Sequence, residues 1–196
     1  IYYVKGKTGF TSVTKFVHGF SKPFDADAVI TKMLASGKNK KYEGMTASEI
    51  KKQWNNNGLE SRTMGTAMHY AIECYFNNVG GDCLNGGILW DGLDKECGQF
   101  ESFKRLALEK GLEAYRTEWC VFDEETRLSG SIDMIFKNSN GGYDIYDWKR
   151  SKEIKSSGFE NYTHPALAML PDSNFWQYSL QLNTYKYILE KNYGLR

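Results

Sequence analysis

The chain has 196 residues, 41% of them hydrophobic and 25% charged, with a formal net charge of +1. That is enough for one substantial core, too apolar for a disordered chain, and too nearly neutral to coat a nucleic acid by bulk electrostatics. No run approaches the roughly 20 apolar residues of a membrane-spanning helix and no basic-then-apolar leader opens the sequence, so no membrane partner is expected.

In chain order, the first half reads as helical. Thr46-Ala-Ser-Glu49 is a capping box, and a helix towards Trp54 follows, with Asn55-Asn-Asn-Gly58 expected to stop it. From about Ser61 to Phe76 the residues Met64, Met68, Ile72 and Phe76 recur at helical spacing, so one stripe faces a core. His69 and Glu73 share another side of that helix, where the simplest reading is a surface pair. Gly80 to Gly92 is glycine-rich and reads as a loop, and a helix from Asp94 to Lys110 ends at Gly111, a residue suited to a left-handed cap.

The pattern then changes. Ala114–Phe122, Leu128–Phe136 and Tyr143–Trp148 are rich in aromatic and β-branched residues, and Asn138 to Gly142 is a hairpin connection, which together predict a three-stranded antiparallel meander. A loop from Ser151 to Ser173 leads to an amphipathic helix, Phe175 to Leu189, with Trp176, Leu180, Thr184 and Ile188 in register. Basic residues gather in two places, Lys5, Lys7, Lys15 and Lys22 near the start and Lys149, Arg150, Lys152 and Lys155 later. They either flank a groove or are simply solvated. Cys74, Cys83, Cys97 and Cys120 lack the short spacings of zinc ribbons, which favours reduced thiols and an intracellular setting.

The segment that carries chemistry is Tyr143-Asp-Ile-Tyr-Asp-Trp-Lys149. On a strand Asp147 and Lys149 point the same way, while Tyr146 and Trp148 face the core. Gly130-Ser-Ile-Asp133 on the preceding strand adds a second carboxylate, with Gly130 leaving room for a close approach. Two acids on neighbouring strands can share a hard cation such as Mg²⁺, which takes oxygen ligands from one or two carboxylates and from substrate phosphate. Such an ion acidifies water and offsets charge on a phosphate, and a nearby lysine completes the requirements of phosphodiester cleavage. An isolated D-x-K is far more often a solvent-facing charge pair on an edge strand.

Gly65-Thr-Ala-Met-His69-Tyr-Ala-Ile-Glu73, Glu118, Gly130-Ser-Ile-Asp133, Asp147-Trp-Lys149 and Gln181-Leu-Asn-Thr-Tyr185 follow one another along the chain. That order resembles the PD-(D/E)XK nuclease superfamily, specifically its RecB-like branch. Thr11-Ser-Val-Thr14 is also similar to the Ser-Val-Thr motif of the mitochondrial genome maintenance exonucleases and their viral relatives. The resemblance implies that Asp133 is a metal-binding aspartate, Asp147 the acidic position of (D/E)-x-K, Lys149 the catalytic lysine and His69 a further member of the metal shell. It implies a ligand or supporting role for Glu118, and places Gln181 and Tyr185, the Q-x-x-x-Y signature, beside the DNA strand. Thr14 and Arg150 are further substrate-side candidates. No cysteine follows Cys120, so the iron–sulfur cluster of several RecB-like nucleases is not expected.

The expectation is therefore an α/β fold: a restriction-endonuclease-like core with a mixed sheet flanked by helices and a helical N-terminal half. It is read as a single nuclease domain over 1–196, with a helical part to residue 60 and a catalytic core over 61–196. The first residue, Ile1, is read as a sign of an excerpt from a longer chain, and the further strand that the resemblance implies after the last helix either lies elsewhere or is cut off. The expected activity is Mg²⁺- or Mn²⁺-dependent hydrolysis of DNA, by an exonuclease acting on single strands or ends. An RNA endonuclease of the same fold and a catalytically silent nucleic-acid-binding module are the alternatives.

Overall fold

The computed structural model describes residues 4–37, 39–79 and 90–196. The glycine-rich loop expected at Gly80 to Gly92 falls mostly outside these residues, as does Cys83. Five helices are described: α1 (Val13–His18), α2 (Ala26–Ser36), α3 (Ala47–Phe76), α4 (Asp94–Glu109) and α5 (Asn174–Asn192). The strands are β1 (Thr11–Ser12), β2 (Glu113–Asp123), β3 (Leu128–Lys137) and β4 (Tyr143–Tyr146). Two compact units are present, Pro23–Thr66 and the pair of segments Ile1–Lys22 and Ala67–Arg196. None of the described helices is long and apolar enough to cross a membrane.

In the smaller unit the capping box forms as its sequence requires. The Thr46 amide donates to Glu49 Oε2 at 2.8 Å and the Glu49 amide to Thr46 Oγ1 at 3.3 Å. Ile30, Tyr42 and Ile50 make its apolar cluster, with Met33, Met45 and Trp54 against it. The expected stop at Asn55–Gly58 is corrected: α3 continues through it to Phe76. A glycine inside a helix costs only about 1 kcal/mol, a preference too weak to end a helix that already propagates on both sides.

In the larger unit β2, β3 and β4 form the expected meander, and β1 adds a parallel pairing that gives a mixed sheet of four strands. Asn138 turns the β3–β4 connection by accepting the amides of Asn140 and Gly142, at 3.1 and 2.9 Å, while Gly141 adopts φ 80°. α4 ends as expected, with Gly111 at φ 63° and the Leu112 amide donating to Ala107 at 2.9 Å. Val13 and Val17 of α1, Val121 of β2, Leu128, Ile132 and Ile135 of β3, and Tyr185, Ile188 and Leu189 of α5 form one core. Phe76, Phe100 and Phe103 meet Phe136, Tyr146 and Trp148 in a second, aromatic layer, so Tyr146 and Trp148, each half-buried, face inward as expected. Of the predicted stripe Trp176, Leu180, Thr184 and Ile188, only Ile188 is fully buried, with Leu180 packed against the core; the rest of the buried face of α5 is Gln181, Tyr185 and Leu189.

Candidate active site

The site follows from how β3 is shared. Along one edge β3 pairs with β2 throughout, while the other edge pairs with β1 at Leu128 and Ser129 and with β4 from Met134 to Lys137. No described strand covers that edge between Ser129 and Met134, and Asp133 lies at the break. The chain leaving β4 passes here. Its Trp148 amide donates to Asp133 Oδ2 at 2.7 Å, and the Trp148 carbonyl bonds His69 Nε2 at 2.8 Å. Side chains thus take both polar groups of Trp148 in place of strand pairing, which corrects the expectation of a strand running to Trp148. Asp147 and Lys149 lie just past β4.

A carbonyl oxygen only accepts, so His69 Nε2 carries the hydrogen and Nδ1 offers its lone pair when the ring is neutral. Nδ1 lies 3.5 Å from Glu118 Oε1 and 3.6 Å from Asp133 Oδ2. His69 does not serve as half of a helix-surface pair with Glu73; it faces two acids on β2 and β3. One donor atom each from His69, Glu118 and Asp133 falls within 4.8 Å of the other two. Ligands about 2.1 Å from a Mg²⁺ stand roughly 3–4.2 Å apart, so the 3.5 and 3.6 Å separations from Nδ1 fall in that range and this nitrogen–oxygen set suits a hard or borderline cation. The Ser131 hydroxyl donates to Glu118 Oε2 at 3.0 Å. Glu118 itself has φ 41°, the left-handed region that a side chain disfavours. A residue held there stores of order 1–3 kcal/mol of strain, which points to a positional requirement for its carboxylate.

Charge in the site is unbalanced. Burial, then the neighbouring Asp147 charge, push the Asp133 carboxyl up to about 6, against the pull of His69 and Lys149. Burial opposes a charge on His69, yet the hydrogen bond to Glu118 and the Asp133 charge outweigh it and raise the imidazole above its ordinary value. The hydrogen bond from His69 in turn holds Glu118 below the usual carboxylate range. With His69 neutral, three carboxylates face the single ammonium of Lys149. A divalent cation relieves that excess.

Asp147 is not among the donors that fall within 4.8 Å of one another. Its side chain, 7% exposed, pairs with the Lys149 ammonium and accepts from Gln181 Nε2 at 2.8 Å. Gln181 therefore reaches the site, but as the partner of Asp147. Tyr185 is corrected from a substrate-side residue to a core one: it is buried in the sheet–α5 core, with its ring over Gly130. A Cβ on Gly130 would lie 2.5 Å from the Tyr185 hydroxyl oxygen, so the close approach expected at that glycine is made by a tyrosine rather than by a ligand.

Arg150 donates to Glu96 of α4 at 2.8 Å, and Thr14 is exposed on α1 with no hydrogen bond or ion pair to the cluster residues. The two basic groupings are largely paired, Lys5 and Lys7 with Glu124, Lys22 with Glu160 and Lys155 with Glu153. Sequence reasoning missed Ser131 and Tyr178, whose ring lies 5.4 Å from the Lys149 ammonium. Spacing was the available signal for Tyr178, because it precedes Gln181 by three residues and so shares its helix face.

Comparison with known proteins agrees with the geometry. No curated protein and no solved structure matches the chain at a significant level. The sequence pattern of the PD-(D/E)XK nuclease superfamily, however, matches residues 41–196, a span that holds His69, Glu118, Asp133, Asp147, Lys149 and Gln181. On that match, over a mixed α/β fold that brings a His/Glu/Asp cluster beside a D-x-K pair, the chain belongs to the PD-(D/E)XK nuclease superfamily.

Proposed function

We propose that the protein is a Mg²⁺- or Mn²⁺-dependent deoxyribonuclease of the RecB-like branch, similar to the mitochondrial genome maintenance exonucleases and their viral relatives, acting on single strands or free ends. The observation that carries this reading is the trio His69, Glu118 and Asp133, with donor atoms within 4.8 Å of one another, beside the Asp147–Lys149 pair. His69, Glu118 and Asp133 would hold the cation, and Asp147, paired with Lys149 beside them, would offer a further carboxylate once a phosphate engaged that lysine. When bound, the cation supplies positive charge against the phosphate oxygens and acidifies the attacking water.

This chain's own residues do the rest. Lys149 donates from its ammonium to the water or a phosphate oxygen, and Gln181 keeps Asp147 aimed. The Trp148 backbone, held between Asp133 and His69, sets the distance between the two halves of the site. The near-neutral chain and its paired lysines favour local grip of one strand over bulk attraction to a duplex.

The test is digestion of end-labelled linear and circular DNA, single- and double-stranded, with matched RNA, in Mg²⁺, Mn²⁺ and EDTA. Cleavage of linear single strands that EDTA abolishes, with circles and RNA spared, supports the reading. Cutting of circles makes it an endonuclease, preference for RNA replaces the substrate, and no cleavage in either metal leaves a binding module.

A further inference from the structure

We propose that Tyr178 is a positioning residue for the Lys149 ammonium, holding it over the phosphate site through the face of its ring. The inference rests on the role given to Lys149 above and adds a residue to it. Lys149 lies past the end of β4, in a segment without strand pairing, and its ammonium sits on a flexible four-carbon stem. Asp147 restrains it from one side. From another side the ring of Tyr178 lies 5.4 Å from the nitrogen, within the range in which the negative face of an aromatic ring attracts a cation.

The helix supplies both restraints. Tyr178 and Gln181 lie three apart on α5 and share a face, so one face of the helix holds both members of the D-x-K pair, Gln181 by its amide to Asp147 and Tyr178 by its ring to Lys149. The Tyr178 side chain is half-buried, and its hydroxyl makes no hydrogen bond to a described residue, which leaves the ring as the part in use. A ring face attracts the charge without fixing each hydrogen to one acceptor. The ammonium's donors therefore stay available to a phosphate oxygen, and the lysine stays in place when its pairing with Asp147 loosens.

Four variants test this: Tyr178→Phe, Tyr178→Leu, Lys149→Ala and the double variant Tyr178→Leu/Lys149→Ala. In the metal-free protein, NMR of the Lys149 ε-methylene protons should show an upfield ring-current shift in the wild type and in Tyr178→Phe, and its loss in Tyr178→Leu. With end-labelled DNA and Mn²⁺, Tyr178→Leu should lose about tenfold in kcat with KM nearly unchanged, since misplacing a reacting group by about 1 Å can cost on the order of 10²-fold. Tyr178→Phe should restore most of that loss. Adding Tyr178→Leu to Lys149→Ala should cost less than about twofold more, because the ring then has nothing to hold.

Equal losses in both backgrounds, a Phe variant as slow as Leu, or an unchanged ε-methylene shift in the Leu variant each overturn the role of Tyr178 while leaving that of Lys149 standing. Wild-type cleavage by Lys149→Ala removes the assignment of Lys149 itself and the role of Tyr178 with it.

Discussion

Replacing Asp133 with Asn removes one charge from the most crowded part of the site and keeps an oxygen able to accept the Trp148 amide. The Asp133 carboxyl is raised from 3.8 to about 6 in the fold, and its side chain is only 10% exposed. A raised acid binds its proton more tightly folded than unfolded, so its contribution to stability is complete below 3.8 and is lost as the pH rises through 6. About two pH units correspond to a ceiling of about 3 kcal/mol, which imperfect accommodation of the amide lowers to about 1–3 kcal/mol. At pH 7 in EDTA the Asn variant should therefore melt above the wild type. At roughly 2–4 °C per kcal/mol for a chain of this size, the gain is about 2–12 °C. Near pH 4 the difference should vanish, because the wild-type carboxyl is then protonated too.

His69, also raised, acts in the same direction: its stabilising charge is complete below its ordinary value and is lost as the pH climbs past the raised one. The metal-free wild type should thus weaken from about pH 4 to 7, and Mn²⁺ should restore more stability at pH 7 than at pH 5. Thermal unfolding of both proteins, in EDTA at two pH values and in Mn²⁺ at pH 7, reads all of this. An Asn variant that melts below the wild type in EDTA at pH 7 would refute the charge argument, and one that gains as much from Mn²⁺ as the wild type would refute the ligand assignment.

Lys149→Ala should lose about 10²–10⁴-fold in kcat while keeping the rise in melting temperature caused by Mn²⁺, and loss of that rise would make it a structural residue. Gln181→Ala leaves an Asp147 oxygen without its donor and should slow cleavage with a stability cost of about 1–3 kcal/mol; turnover and melting measured on one preparation check it, and unchanged turnover would free Asp147 from this control. Gly130→Ala places a Cβ 2.5 Å from the Tyr185 hydroxyl oxygen and should cost about 1–3 kcal/mol, part of it recovered by Tyr185→Phe in a double-mutant cycle. A Gly130→Ala protein as stable as the wild type would place the ring elsewhere.

What the sequence determined by itself was whatever depends on neighbours along the chain. The Thr46–Glu49 cap, the Gly111 end of α4, the Asn138 turn and the aromatic and β-branched runs that become β2 and β3 are local patterns, and each forms as written. The order His69, Glu118, Asp133, Asp147, Lys149, Gln181 was readable for the same reason, since a motif is a local string. Only the tertiary structure decided what each string faces. Asn55–Gly58 reads as a stop, yet α3 passes through it, because propensity is a weak preference, about 1 kcal/mol at a glycine, that a helix propagating on both sides tolerates. β1 is two residues long and pairs with a strand more than a hundred residues away, so no local pattern announces it. Gln181 and Tyr185 occupy one helix face, but only the surface opposite assigns the first to Asp147 and the second to the space over Gly130. Likewise Arg150, one residue from Lys149, is claimed by Glu96 from a different helix. Helical and strand periods fix the direction of a side chain relative to its own element, whereas its partner is set by how the elements pack.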